Sequence, residues 1–147
     1  MKKNISNAMK KNINGSSLLE ELIALVIISI GLLGMTSLQL TAMKDNQVAL
    51  DHTQASNLAC EILDLMRANP DLSMDDRYNM SFNTSSSTST GVSYVDVNNW
   101  KSRLAQLLPD GDASITRNGK VFTITIQWNE THSGGVSNKQ FVISSEL

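Results

Sequence analysis

One long apolar run lies near the N-terminus and is followed by a mixed remainder whose apolar positions recur at two different periods. Residues 22–40 read LIALVIISIGLLGMTSLQL and carry no formal charge. Roughly 20 mainly apolar residues suffice to cross a hydrocarbon core as a helix. Beyond the run, Leu50, Ala55, Leu58, Ala59, Ile62, Leu65 and Met66 recur at spacings of three, four and seven, the signature of an amphipathic helix. Lys44, Asp45, Asp51, Gln54, Glu61 and Asp64 lie between them and predict a solvated opposite face. No proline interrupts residues 18–68, so a single helix of roughly 50 residues is expected. Arg67-Ala68-Asn69-Pro70 predicts its stop: a cation at the negative end of the helix dipole, Asn for a left-handed cap, then Pro.

Residues 70–95 are polar, and 81–90 (SFNTSSSTST) are low in complexity, which predicts a loop. Residues 96–108 place Trp100, Leu104 and either Leu107 or Leu108 on one face of a short helix that ends at Pro109-Asp110-Gly111. The tail then changes period. Residues 113–117 lead into Asn118-Gly119, a strong two-residue hairpin signal. Residues 121–128 alternate, with Phe122, Ile124, Ile126 and Trp128 on one side and Thr123, Thr125 and Gln127 on the other. Ser133-Gly134-Gly135 marks a longer loop, and residues 139–147 supply a third strand with Phe141 and Ile143 inward. The expected fold class is α+β: a long N-terminal helix whose second half packs on a three-stranded antiparallel sheet, enough for a two-layer core.

At 147 residues the chain has room for one compact domain and an accessory segment. Lys2, Lys3, Lys10 and Lys11 all precede the apolar run, and residues 1–15 contain no acid. Lysines on that side keep an N-terminus cytoplasmic and send the rest of the chain outward. No A-x-A pattern follows the run, so removal as an ordinary secretory signal is the weaker reading.

Chemistry is sparse. Cys60 is the single cysteine, which excludes an intrachain disulfide and a multi-cysteine metal site. Its place near the apolar stripe predicts a small buried hydrophobe. His52 and His132 lack metal-ligand partners at useful spacing, and His52 beside Asp51 reads as solvated. Asp75-Asp76 and Asp110-Gly111-Asp112 fall short of a calcium-ligand set. Neither a phosphate loop nor a nucleophile elbow is present, so no enzyme, cofactor or metal is expected. The acidic balance without a basic cluster argues against nucleic acid.

Glu20 and Glu21 stand out, because an ionisable side chain at the edge of a membrane-length helix is costly and points to function. Each neighbouring feature also has a plain reading. Gly15 suits a turn, Ser16 or Ser17 an N-cap, and the two acids the positive end of the helix dipole. Basic leader, glycine, small residue, acid and apolar helix in this order suggest an exported filament subunit and not an enzyme. Gly31 and Gly34 admit two readings, small-residue helix packing or a stretch that can lose helicity.

The segment 15–34, GSSLLEELIALVIISIGLLG, resembles the class III signal of type IV prepilins. The resemblance implies cutting by a prepilin peptidase between Gly15 and Ser16, and N-methylation of Ser16. Glu20 would then be the carboxylate that pairs with a neighbouring subunit's new amine, with Glu21 the second candidate. Ser16 stands where phenylalanine is usual, and Glu21 where an apolar residue is common. Losing the four leader lysines takes the formal charge from −2 to −6. The implied organisation is a cleaved leader at 1–15, a transmembrane and filament-core helix at 16–40, an amphipathic half at 41–69, a polar loop at 70–95 and a head at 96–147.

Ala55-x-x-Leu58-Ala59-x-x-Ile62-Leu63-x-x-Met66-Arg67-Ala68-Asn69-Pro70, Trp100-x-x-x-Leu104 with Leu108-Pro109-Asp110-Gly111, and Ile124-Thr125-Ile126-Gln127-Trp128 are similar to the PilV-type pilus modification proteins, minor pilins of that system. This implies partners among the other minor pilins and the major pilin, with a tip adhesin as a further one. It also implies a single pass through the bacterial inner membrane, a periplasmic head, and later a place in the pilus. A minor pseudopilin of type II secretion shares the N-terminal block. A singly anchored periplasmic binding domain that keeps its leader is the third reading.

Overall fold

The computed structural model describes residues 16–84 and 90–147. The expected leader at 1–15, Gly15 included, and residues 85–89 of the Ser/Thr tract lie outside them. The chain forms two compact units, one ending at Ala42 and one spanning Met43–Leu147.

Helix α1 runs unbroken over Ser16–Ala68, as the proline-free pattern predicts. Its stop differs from expectation. Asn69 has φ −132° and ψ 65°, not a left-handed cap, because the following Pro70 crowds its backbone toward extended geometry. Asn69 ends the helix with its side chain instead, donating from Nδ2 to the carbonyl oxygen of Leu65 at 3.1 Å. Pro70 then opens a short helix α2, Pro70–Met74, where its missing N–H costs nothing.

Helix α3 spans Val92–Leu107, so it begins ahead of the expected position 96. Its first turn exposes Val92 and Val95 and buries Ser93, and an amphipathic reading has nothing to detect there. The segment expected to be loop is also more ordered than its polarity suggests. Tyr78 and Met80 are buried, and Met80 exchanges main-chain hydrogen bonds with Ile115 at 3.0 and 2.9 Å.

Strands β1 (Asp112–Asn118), β2 (Val121–Trp128) and β3 (Lys139–Glu146) form an antiparallel sheet in that order. Asn118 pairs with Val121, so the two-residue turn is Gly119-Lys120, one position later than the Asn-Gly signal suggests. Gly119 takes φ +64°, the conformation that a hairpin turn of this kind demands of its first residue. Phe122, Ile124, Ile126 and Trp128 are buried, while Phe141 and Ile143 are half-buried against the same core.

One hydrophobic core joins this sheet to α3 (Val97, Trp100, Leu104, then Leu108) and to the second half of α1 (Ala55, Leu58, Ala59, Ile62, Leu63, Met66). Two positions of the expected helix stripe exchange roles. Leu50 is 49% exposed while Asp51 is 2% exposed. Asp51, Ala55, Leu58 and Ile62 stand at steps of four, three and four and therefore share the inward face. Leu50 is turned about 100° away from that line.

Candidate functional site

The described part of the first unit belongs to α1. Leu18, Leu19, Leu22, Ile23 and the large apolar residues that follow to Leu40 are all exposed, Leu33 at 72% and Leu38 at 73%. An 18-residue window of this helix has mean hydropathy 2.2 with none of it buried. By length and composition the helix can cross a membrane, which makes the chain a candidate single-pass protein. No water competes for polar groups in hydrocarbon, so each must be satisfied within the helix. The three hydroxyls with assigned bonds here meet that condition. Ser29 donates to the carbonyl oxygen of Leu25 at 2.7 Å, Thr36 to that of Leu32 at 2.9 Å, and Thr41 to that of Ser37 at 3.1 Å.

Glu20 and Glu21 are exposed at the start of this helix, and no described residue hydrogen-bonds or ion-pairs with either. The described helix opens at Ser16, and its first turn holds no acid. A Cβ placed on Gly31 or Gly34 would meet nothing within 4 Å; both glycines leave backbone open on the apolar surface.

The second unit begins with a polar cluster that periodicity did not reveal. Glu130, on the loop after β2, is only 4% exposed. It accepts from the indole Nε1 of Trp128 at 3.2 Å and faces His52 Nε2 at 3.4 Å and Lys139 Nζ at 3.9 Å. The His52 ring meets Trp128 edge-on at 5.1 Å. His52 is therefore a half-buried contact between α1 and this loop, not a solvated residue. Asp51 accepts from Gln47 Nε2 at 2.8 Å. One signal was available in the sequence: Asp51 lies four positions before Ala55, in line with the apolar stripe. The loop itself is tight, since a Cβ added to Gly135 would stand 2.6 Å from the Glu130 Cβ. Cys60 also departs from expectation and is exposed; it follows Ala59 by one step and faces away from the core.

Three more polar contacts tie the head together. Asp112 accepts from Lys101 Nζ at 2.9 Å and from the main-chain N–H groups of Asn83 and Ala113. Burial pushes its carboxyl up, but these donors outweigh burial and hold it below the usual carboxylate range. Asp76 is likewise lowered, first by its hydrogen bond from Arg117. Tyr78 donates to Asp96 at 2.7 Å, and burial with that carboxylate raises its phenol. Among the described residues no group of three His, Cys, Asp or Glu side chains is placed to hold a metal ion.

Compared with protein-family models, curated proteins and solved structures, the chain matches none.

Proposed function

We propose that this chain is a membrane-inserted filament subunit of the type IV pilin kind, and more particularly a minor pilin of the PilV type that takes part in pilus assembly. The observation that carries the reading is a single helix with an uncovered apolar stretch and, at its start, two carboxylates that no described residue pairs. The separate α+β unit with its own core supports it, since a subunit needs a folded head besides its assembly helix.

Cutting after Gly15 would free an amine on Ser16. Burying an unpaired ammonium or carboxylate among apolar helices costs several kcal/mol, and pairing the two removes much of that cost. Glu20 of an incoming subunit would accept the amine of a neighbour, which fixes axial position as well as energy. The partners on this reading are prepilin peptidase, the other minor pilins, the major pilin and the inner membrane, with the head in the periplasm before assembly.

Mass spectrometry of the N-terminus tests the reading. In cells with active prepilin peptidase the expected species begins at an N-methylated Ser16. Recovery of the chain with Met1 and its lysines intact would overturn it in favour of a singly anchored domain. A second measurement concerns the acid: the Glu20→Gln variant should insert in the membrane yet fail to enter filaments. A processed chain found only with secretion-system components would move it to the pseudopilins.

A further inference from the structure

Pairing Glu20 with an amine leaves a second acid over. This inference rests on the pilin reading above, and it concerns which helix can lie against this one. Each processed chain would bring one new amine and two carboxylates, Glu20 and Glu21. Successive helix positions are turned by about 100°, so the two acids address different neighbours. On the face of Glu21 stand Leu18 one turn before it, Leu25 one turn after and Ile28 two turns after, at 64%, 60% and 58% exposure. Glu21 is thus set within an uncovered apolar face, and no described residue neutralises it.

Two copies inserted in one membrane run parallel, with equivalent residues at equal depth. Self-packing through this face brings Glu21 against Glu21, and like charges juxtaposed at an interface are a recognised device against the wrong partner. A helix of different sequence has no such conflict. With a lysine or arginine at the same depth it converts the repulsion into a pair. We infer that Glu21 disfavours packing of this helix against a second copy of itself and directs the Leu18–Leu25–Ile28 face to an unlike apolar helix bearing a basic side chain at that depth.

The test uses full chains purified from cells with active prepilin peptidase and reconstituted in phosphatidylcholine vesicles at neutral pH, with energy transfer between two labelled populations as the readout. Wild type should self-associate weakly, and the Glu21→Lys variant alone should do no better. A mixture of the two should give several-fold more transfer than either alone, because opposite charges then meet at equal depth. The Glu21→Leu variant should also exceed wild type; leucine is used because paired glutamines would themselves hydrogen-bond across helices. A mixture no better than wild type alone, or a Glu21→Leu variant at the wild-type level, overturns the inference. The two readings fail separately. Normal filament entry by Glu20→Gln removes Glu20 as the partner of the amine and leaves a positive charge-swap result standing, whereas a flat charge-swap result with Glu20→Gln excluded from filaments removes only the rule at Glu21.

Discussion

The indole N–H of Trp100 on α3 donates to the main-chain carbonyl oxygen of Leu58 on α1 at 2.8 Å, with both residues buried. Apolar packing is non-directional and tolerates sliding; this bond does not. A carbonyl has two lone pairs and can accept it in addition to a bond along its own helix. The pair therefore fixes the axial position of α3 against one turn of α1.

Replacing that indole tests the relationship. Trp100→Phe keeps an aromatic ring but removes the donor and leaves a void where the second ring stood. The expected loss is about 1–3 kcal/mol, the sum of a modest net hydrogen bond and a partial cavity. It should appear as a lower urea midpoint for the full chain in detergent, with the slope unchanged. An unaltered midpoint would mean that the indole contact contributes nothing net.

Local order along the chain is what made most of this fold legible. Phe122, Ile124, Ile126 and Trp128 alternate, and all four are buried, because strand period alone assigns their face. The α1 stripe from Ala55 to Met66 is likewise inward. What periodicity missed is polar and long-range. Asp51 and Glu130 are buried carboxylates, and His52 bridges α1 to a loop 78 positions further on. Nothing near His52 in sequence announces that partner. Asn69 failed for a different reason: its proline neighbour, equally visible, overrides its own preference for a left-handed cap. The membrane-length run was legible because length and composition alone define it, with no folded partner needed.

Gly111 is held to glycine by crowding. A Cβ there would lie 2.8 Å from both Leu104 Cδ2 and the Leu104 carbonyl oxygen, and 2.9 Å from the Leu108 Cβ. A side chain can yield, but a helix carbonyl cannot move without distorting the end of α3. Gly111→Ala should therefore cost about 1–3 kcal/mol, as overpacking does. Gly31→Ala is the matched contrast: it meets nothing within 4 Å and sits in a helix interior, where alanine is favoured by roughly 0.5–1 kcal/mol. Thermal unfolding of both variants in detergent should lower the transition for the first and leave it unchanged or raise it for the second. Equal behaviour would refute the steric account.

Asp112 gives the head a defined response to acid. Its carboxylate holds Lys101 at 2.9 Å and the Asn83 N–H at 2.5 Å, and Lys101 in turn donates to the Thr84 carbonyl oxygen. One ionised group thus joins α3, β1 and the start of the Ser/Thr tract. Its folded-state pKa lies below the ordinary carboxylate value, so the unfolded chain binds the proton more readily. The stabilisation is consequently complete above the unfolded value, and it is lost as pH falls through the lower, folded one. Asp112→Asn removes that dependence. The difference in urea midpoint between wild type and the variant should be constant from neutral pH down to about pH 5 and shrink below about pH 4, where unfolded carboxyls protonate. The same range should loosen residues 81–84, read as a lower amide protection factor at Asn83 in wild type. A midpoint difference that instead widens on acidification would reverse the sign and exclude Asp112 as the ionised centre of this contact.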